Sequence, residues 1–391
     1  MGGAAAIRIS HDGGRTWADA PGHPLGGGNH PAIAWGPGPR GAGRLYAVTM
    51  LGANGIYHPA VSASDDEGRT WRLLHVATRT RGWFGGFPDI AVDTDPASPG
   101  YGRVWVAYNW LRDPVTGIGM RVLCSRDHGL TWSEVEVPPL APPVGYPAAW
   151  RIGYRVAPAP DGSAYVSGSQ LDLRTWDVDD PFADGGSANV GRLAFTVAHV
   201  RWDGSAGRLR QDGARLALRL PESAWNLGKP VAGIDQVLTD PSWMHGLVVG
   251  KGGRVLLAVN VDGRIRLARS TDDGRTWRIA DLPPARAIGG HAQWLTAPDL
   301  VRGTGFIALL ARSIDIGGAG RTTGVAAAVS RDGGRTWDGP RPIVDARWPV
   351  SRIAASYLGT GLRQRATVAA AGRTIVRSEE HTSELQSRLH L

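Results

Sequence analysis

The fold of this 391-residue chain is decided by the stretch Ser270-Thr271-Asp272-Asp273-Gly274-Arg275-Thr276-Trp277. The pattern Ser-x-Asp-x-Gly-x-Thr-Trp occurs five times, and we name its copies turns 1 to 5: residues 10–17, 64–71, 125–132, 270–277 and 330–337. A pattern that recurs at a long period is the signature of a repeat architecture. Each copy lies between two short strand-like runs, so it is predicted to form a hairpin turn.

The residue types of the pattern suit a tight turn. The Asp accepts hydrogen bonds from backbone N–H groups a few residues on, the Gly favours a positive φ, and the Trp offers a large apolar face for burial. A calcium loop is the alternative, but the carboxylates in each copy are too few for a hard cation. We predict structural roles for Asp12, Trp17, Asp66, Trp71, Asp127, Trp132, Asp272, Trp277, Asp332 and Trp337.

The five copies resemble the Asp-box, or BNR, repeat of sialidase-like β-propellers. The resemblance extends over residues 4–376 and implies an all-β fold of four-stranded antiparallel blades. It is specific for the fold and much less so for function, because the repeat also occurs in other glycosidases, sorting receptors and assembly factors.

The spacing of the turns predicts the number of blades. The intervals between their serines are 54, 61, 145 and 60 residues, so the long interval should contain one further, degraded turn, which we place at residues 201–207. The two chain ends together make one more blade period, so residues 4–20 and 346–376 are expected to share a sheet. We predict a six-bladed β-propeller; a chain truncated from a larger propeller is the alternative.

The domain prediction is one propeller over residues 1–376. Residues 377–391 differ sharply from the Ala-, Gly- and Arg-rich body and resemble the translation of a sequencing-library adapter. We therefore expect this tail to be non-native and exclude it from the fold prediction.

Charge and cysteine usage narrow the possible partners. The formal charge is +8, but all except two of the 43 basic residues are scattered arginines, a bias typical of a GC-rich bacterial genome. Nucleic acid is not expected as a partner, because no basic run or stripe is present. Cys124 alone cannot form an internal disulfide, and no apolar run is long enough for a membrane span. The resemblance implies a secreted or cell-surface protein; the oligomeric state is left open.

The ligand side of such a propeller is formed by the loops that lead into the first strand of each blade. These loops are rich in aromatic and polar residues, as a ligand mouth requires; the alternative is that their tryptophans seal neighbouring blades. A cofactor is not expected, although calcium on the acidic loop of residues 170–190 is an alternative. The candidate ligand-binding residues are Trp83, Asp89, Trp150, Trp243, His245, His291, Trp294 and Asp299.

The resemblance also implies a candidate active site. Sialidases of this type use an arginine clamp on the substrate carboxylate, a Tyr nucleophile activated by a Glu, and an Asp as acid/base. Tyr154-Arg155-Val156-Ala157-Pro158 loosely echoes their first arginine motif, but it lies after three turns rather than before the first. The candidate catalytic residues are Glu222, Tyr154, Arg155, Arg151 and Arg352. We predict a propeller that binds a glycan or a protein; the alternative is an exo-sialidase-type glycoside hydrolase.

Overall fold

The computed structural model describes most of the chain body. The described residues are 8–10, 16, 18–19, 29–39, 41–53, 56–77, 80–81, 88–113, 117–140, 149–173, 191–220, 245–261, 263–284, 293–315, 322–343, 348–349, 366–371, 374–379 and 387–390. The regular elements among them are strands joined by turns. These residues contain no helix that is long and apolar enough to cross a membrane.

The first strands of the chain are short. β1 (Arg8–Ile9) and β2 (Ala18–Asp19) pair as a two-stranded sheet. Sheet A follows with β3 (Asn29–Pro37), β4 (Gly43–Ala53), β5 (Ile56–Ser64) and β6 (Arg72–Val76), and β7 (Thr80–Arg81) pairs with β5. Sheet B contains β8 (Asp89–Val92), β9 (Val104–Asp113), β10 (Gly117–Ser125) and β11 (Ser133–Val137).

Three further sheets of the same kind follow, and a smaller one ends the chain. Sheet C contains β12 (Ala149–Pro158), β13 (Ala164–Leu173), β14 (Gly191–Asp203) and β15 (Arg208–Leu220). Sheet D contains β16 (His245–Gly250), β17 (Arg254–Val261), β18 (Arg264–Ser270) and β19 (Arg278–Asp281). Sheet E contains β20 (Gln293–Gly303), β21 (Phe306–Asp315), β22 (Thr322–Ser330) and β23 (Asp338–Pro342), and β24 (Trp348–Pro349) pairs with β22. The last sheet contains β25 (Ala366–Ala371), β26 (Thr374–Glu379) and β27 (Ser387–His390).

Sheets A to E share one topology. In each, four strands follow one another in chain order as neighbours, which is the meander of a propeller blade. Turns 2 to 5 each join the third strand of a sheet to the fourth, as the sequence predicts. The predicted all-β fold of four-stranded antiparallel sheets is confirmed; the number of six blades stays a prediction.

The degraded turn predicted in the long interval is present in sheet C. β14 and β15 are joined by a turn at residues 204–207. The Asp203 carboxylate accepts hydrogen bonds from the backbone N of Ser205 at 3.0 Å and of Ala206 at 3.2 Å, and its second oxygen pairs with Arg210 at 3.0 Å. An Asp-anchored turn is thus kept although the Ser, Thr and Trp of the pattern are lost.

The predicted shared sheet of the two chain ends is not found among the described strands. β1 pairs with β2, and β25 pairs with β26, so each segment pairs with its sequence neighbour. β26 extends to Glu379, and β27 pairs with it inside the predicted non-native tail. The origin of that tail and the single-domain boundary stay predictions.

The chain divides into two compact units, residues 1–170 with 195–216, and residues 171–194 with 217–391. In the first unit, buried side chains of sheet A, such as Tyr46, pack with those of sheet B, such as Tyr108. Trp105 of sheet B packs in turn with Val166 of sheet C. In the second unit, Leu256 of sheet D packs with Leu309 of sheet E. Consecutive sheets within a unit therefore bury their faces against each other.

Candidate functional site

The repeated turns have one common hydrogen-bond pattern. In turn 4 the Ser270 hydroxyl donates to Asp272 Oδ1 at 2.8 Å and accepts from Gly274 N at 2.8 Å. Asp272 also accepts from Thr276 N at 2.9 Å and from the Thr276 hydroxyl at 2.6 Å. Turns 2, 3 and 5 repeat these bonds. Both carboxylate oxygens thus serve the turn, as the structural prediction requires; Asp12 and Trp17 of turn 1 lie outside the described residues.

These bonds hold the turn carboxylates ionised. The Thr70 hydroxyl and backbone N, with the Ser64 hydroxyl, lower the pKa of Asp66 to about 2. The same donors in turn 4 lower the pKa of Asp272 to about 2. At Asp127 burial opposes the shift, but the bonds from Thr131 outweigh it and the pKa is lowered.

The turn tryptophans close the turns by a second bond. The indole N of Trp71, Trp132 and Trp277 donates to the carbonyl of the turn glycine at 3.0, 3.1 and 3.0 Å. The indole N of Trp337 in turn 5 is buried without a hydrogen-bond partner among the described residues. The indole N of this Trp is therefore hydrogen-bonded in three of the four described turns.

Many predicted ligand and catalytic residues lie outside the described part of the chain. These are Trp83, Glu222, Trp243, His291 and Arg352. The backbone of Trp150, Arg151 and Trp294 lies in β12 and β20, but their side chains are not described. Asp89, Tyr154, Arg155, His245 and Asp299 are described, and all five are buried.

The buried candidates of the first unit have structural partners. Tyr154 is 1% exposed, and its hydroxyl donates to the carbonyl oxygen of Gly119 at 2.9 Å. Asp89, the first residue of β8, accepts a hydrogen bond from Val156 N at 2.9 Å and so ties β8 to β12. These bonds give Tyr154 and Asp89 structural roles in the described part of the chain, and the catalytic role of Tyr154 stays a prediction.

The buried candidates of the second unit lie on two strands in close contact. A Cβ built on Gly246 would come within 2.7 Å of Leu300 N, so only a glycine lets β16 approach β20 there. His245 precedes that glycine, and Asp299 precedes Leu300, whose backbone N donates to the Asp299 carboxylate at 2.9 Å. Both predicted ligand residues therefore lie where β16 and β20 meet, and their side chains are buried.

The structure also brings together a Tyr–Glu pair that the sequence analysis missed. In sheet B the Tyr108 hydroxyl donates to Glu134, whose same oxygen is 3.2 Å from Arg121 Nη1. The Arg121 guanidinium lies 3.8 Å above the Trp110 ring. A Tyr–Glu bond is the arrangement that activates a Tyr nucleophile, but Tyr108 is fully buried and burial raises its pKa. The group is spread over three strands, so only the strand register reveals it.

A second missed group has the order of a Ser–His–Asp relay. Ser163 Oγ is 2.7 Å from His199 Nε2, and His199 Nδ1 is 3.1 Å from Asp212 Oδ2. The Ser163 hydroxyl also bonds to Asp161 in its own turn, and the residue is only 4% exposed. A serine nucleophile needs its proton directed at the histidine and its oxygen open to substrate. We therefore interpret the group as a structural link between the β12–β13 turn and strands β14 and β15.

The described residues contain no group of three or more His, Cys, Asp or Glu side chains placed to hold an ion. The acidic loop considered for calcium falls almost wholly outside them, at residues 174–190. Cys124 is buried as a free thiol, and burial raises its pKa to about 12.

Comparison with known proteins finds structural likenesses only. No protein-family model and no curated protein sequence matches the chain. A GH93 α-L-arabinofuranosidase of Fusarium graminearum, solved with arabinobiose, has a TM-score of 0.47 at 17% identity over 83% of this chain and 84% of its own.

Two other solved structures are also similar. An α-L-arabinanase of Penicillium chrysogenum, solved with arabinobiose, has a TM-score of 0.45 at 13% identity, covering 90% of this chain and 88% of its own. A Trypanosoma rangeli sialidase, solved with sialic acid, has a TM-score of 0.39 at 15% identity, covering 83% of this chain and 48% of its own. At these scores and identities no conclusion about activity follows.

Proposed function

We propose that this chain is a non-catalytic, carbohydrate-binding propeller protein. It binds a glycan through the aromatic-rich loops that lead into the first strand of each sheet. A secreted or cell-surface location is part of the proposal, since the same sequence resemblance implies both. A protein ligand at the same loops is the competing outcome.

One observation carries the preference for binding over catalysis. Tyr154 is the first residue of the segment that loosely resembles the first arginine motif of sialidases. It is packed in the core, and its hydroxyl donates to the Gly119 carbonyl. A Tyr nucleophile has to be activated by a base and to face the substrate. Tyr108, whose hydroxyl does donate to a carboxylate, that of Glu134, is buried as well and has a raised pKa. Neither phenol supports attack on a sugar.

Isothermal titration of the full chain with 3′-sialyllactose and with arabinobiose tests the proposal. We expect saturable binding of at least one glycan, and its loss in Trp83→Ala or Trp243→Ala, because stacking on an aromatic face favours sugar binding. Trp71→Phe is the matched control: it changes a tryptophan of a structural turn and should leave glycan affinity unchanged. If the chain binds none of a broad set of glycans but does bind a defined protein, the ligand is a protein and not a glycan.

A further inference from the structure

A cationic pocket lies beside turn 4, apart from every candidate residue named above. It is a cavity of about 450 Å³ lined by Arg269, Thr271, Thr276, Arg278 and Arg335. Arg269 is the penultimate residue of β18, next to turn 4; Arg278 begins β19, and Arg335 belongs to turn 5. Three arginines thus line a cavity whose lining contains no carboxylate.

The strand register makes this arrangement costly without a ligand. Arg269 and Arg278 are directly opposite each other in the β18–β19 pair, and like charges directly opposite destabilise a sheet. The corresponding pairs of the other sheets contain at most one charge: Ala63 with Arg72, Cys124 with Ser133, and Val329 with Asp338. Among the four sheets that contain turns 2 to 5, sheet D alone places two cations there.

The third arginine lacks the partner that its equivalents have. In turn 4 Arg275 pairs with Asp273 at 3.2 Å, and in turn 2 Arg69 approaches Glu67 at 3.9 Å. Turn 5 has Gly333 at the position of those acids, so Arg335 has no such carboxylate.

Turn 5 also packs directly on sheet D. A Cβ built on Gly334 would lie 3.0 Å from Leu256 Cδ2, and Leu256 is opposite Arg269 in the β17–β18 pair. This packing brings Arg335 to the pocket.

Acids close in sequence to these arginines bond to other groups. Asp272 and Asp332 accept the donors of their own turns, and Asp281 pairs with Arg266 at 2.6 Å. Within the described part of the chain, Arg269, Arg278 and Arg335 form no ion pair or side-chain hydrogen bond. The pocket therefore gathers three positive charges that no carboxylate of those residues neutralises.

We propose that this pocket binds a tetrahedral oxyanion, a sulfate or phosphate ester group carried by a ligand. Three guanidinium groups that arrive from β18, β19 and turn 5 can each donate to a different oxygen, whereas a carboxylate offers only two oxygens and is matched by a single Arg fork. The negative charge of either ester also offsets the repulsion between Arg269 and Arg278. Since turn 4 and the start of the first strand are at opposite ends of sheet D, this site is separate from the proposed glycan site.

Isothermal titration of the full chain with sodium sulfate and with sodium phosphate, at constant ionic strength, tests the pocket. We expect one saturable site for these anions and much weaker binding of acetate. Arg269→Gln and Arg335→Gln should each weaken sulfate binding about tenfold, the effect of losing one charge-assisted hydrogen bond. Galactose 6-sulfate and glucose 6-phosphate then distinguish the two esters, and tighter binding of either one supports the proposal.

Two further variants separate binding from folding and from net charge. Arg208→Gln removes an exposed arginine at the start of β15, outside the pocket, and should leave sulfate affinity unchanged. Arg278→Glu should raise the melting temperature in anion-free buffer, because it replaces a cross-strand repulsion by an attraction, and should abolish sulfate binding. Equal affinity for acetate, equal losses in Arg208→Gln, or sulfate binding retained in Arg278→Glu would overturn the proposal.

Discussion

At the scale of single residues, the turns depend on one carboxylate that satisfies several donors. Asp66 receives bonds from the Ser64 hydroxyl at 2.8 Å, from Thr70 N at 2.8 Å and from the Thr70 hydroxyl at 2.6 Å. Hydrogen bonds to an ionised carboxylate favour the charged form. Because the same residues recur in four described turns, this stabilisation of the ionised carboxylate is repeated along the chain.

Acid should therefore weaken the fold through the turn aspartates. The pKa of Asp66 and of Asp272 is about 2 in the folded chain, against about 3.9 in an unfolded one. Since the folded pKa is the lower one, the stabilisation is complete above about pH 4 and is lost as the pH falls toward 2. Urea unfolding between pH 5 and pH 2 should show this loss. Asp272→Asn should make the pH dependence shallower, and an unchanged slope would contradict the assignment.

The turn glycines should be intolerant of a side chain for two separable reasons. Gly129 has a φ of 91°, and a Cβ there would come within 2.5 Å of Leu74 Cδ1. Gly207 has a φ of 62°, but its Cβ would meet nothing within 4 Å. Gly207→Ala should therefore cost about 1–2 kcal/mol for the left-handed conformation alone, and Gly129→Ala more, through added steric strain. Equal losses in chemical denaturation would show that the packing of turn 3 on β6 is unimportant.

At the scale of elements, the tryptophans fasten each turn to its sheet. Trp277 and Trp337 have equivalent positions in turns 4 and 5, but only the indole N of Trp277 donates to a turn carbonyl, at 3.0 Å. The Trp337 indole N is buried without a partner in the described part of the chain, where an unsatisfied donor carries a desolvation cost.

Replacing each tryptophan by phenylalanine should separate packing from hydrogen bonding. Trp277→Phe loses a bond worth about 1 kcal/mol in addition to some packing, whereas Trp337→Phe removes an unsatisfied N–H. We expect the free energy of unfolding to fall more for Trp277→Phe than for Trp337→Phe. A larger loss in Trp337→Phe would mean that its indole N does have a partner.

At the scale of the whole molecule, the sequence predicts what is local and repeated. The turn positions, the strand order within each sheet and the turn at residues 204–207 follow from a short pattern and its period. The burial of Tyr154 against Gly119 and the bond from Val156 to Asp89 do not, because each joins segments at least 35 residues apart. The arginine pocket likewise requires the β18–β19 register, which no local pattern encodes.

The central functional claim is that the buried tyrosines of this chain serve the fold and not a reaction. Hydrolysis of 4-methylumbelliferyl sialoside by the full chain, beside Tyr154→Phe and Glu222→Gln, tests it most directly. The proposal predicts no turnover above buffer for any of the three proteins, with a lower melting temperature for Tyr154→Phe because the bond to Gly119 is lost. Turnover by the unaltered chain that disappears in both variants, with their folding intact, would contradict the claim and establish a sialidase.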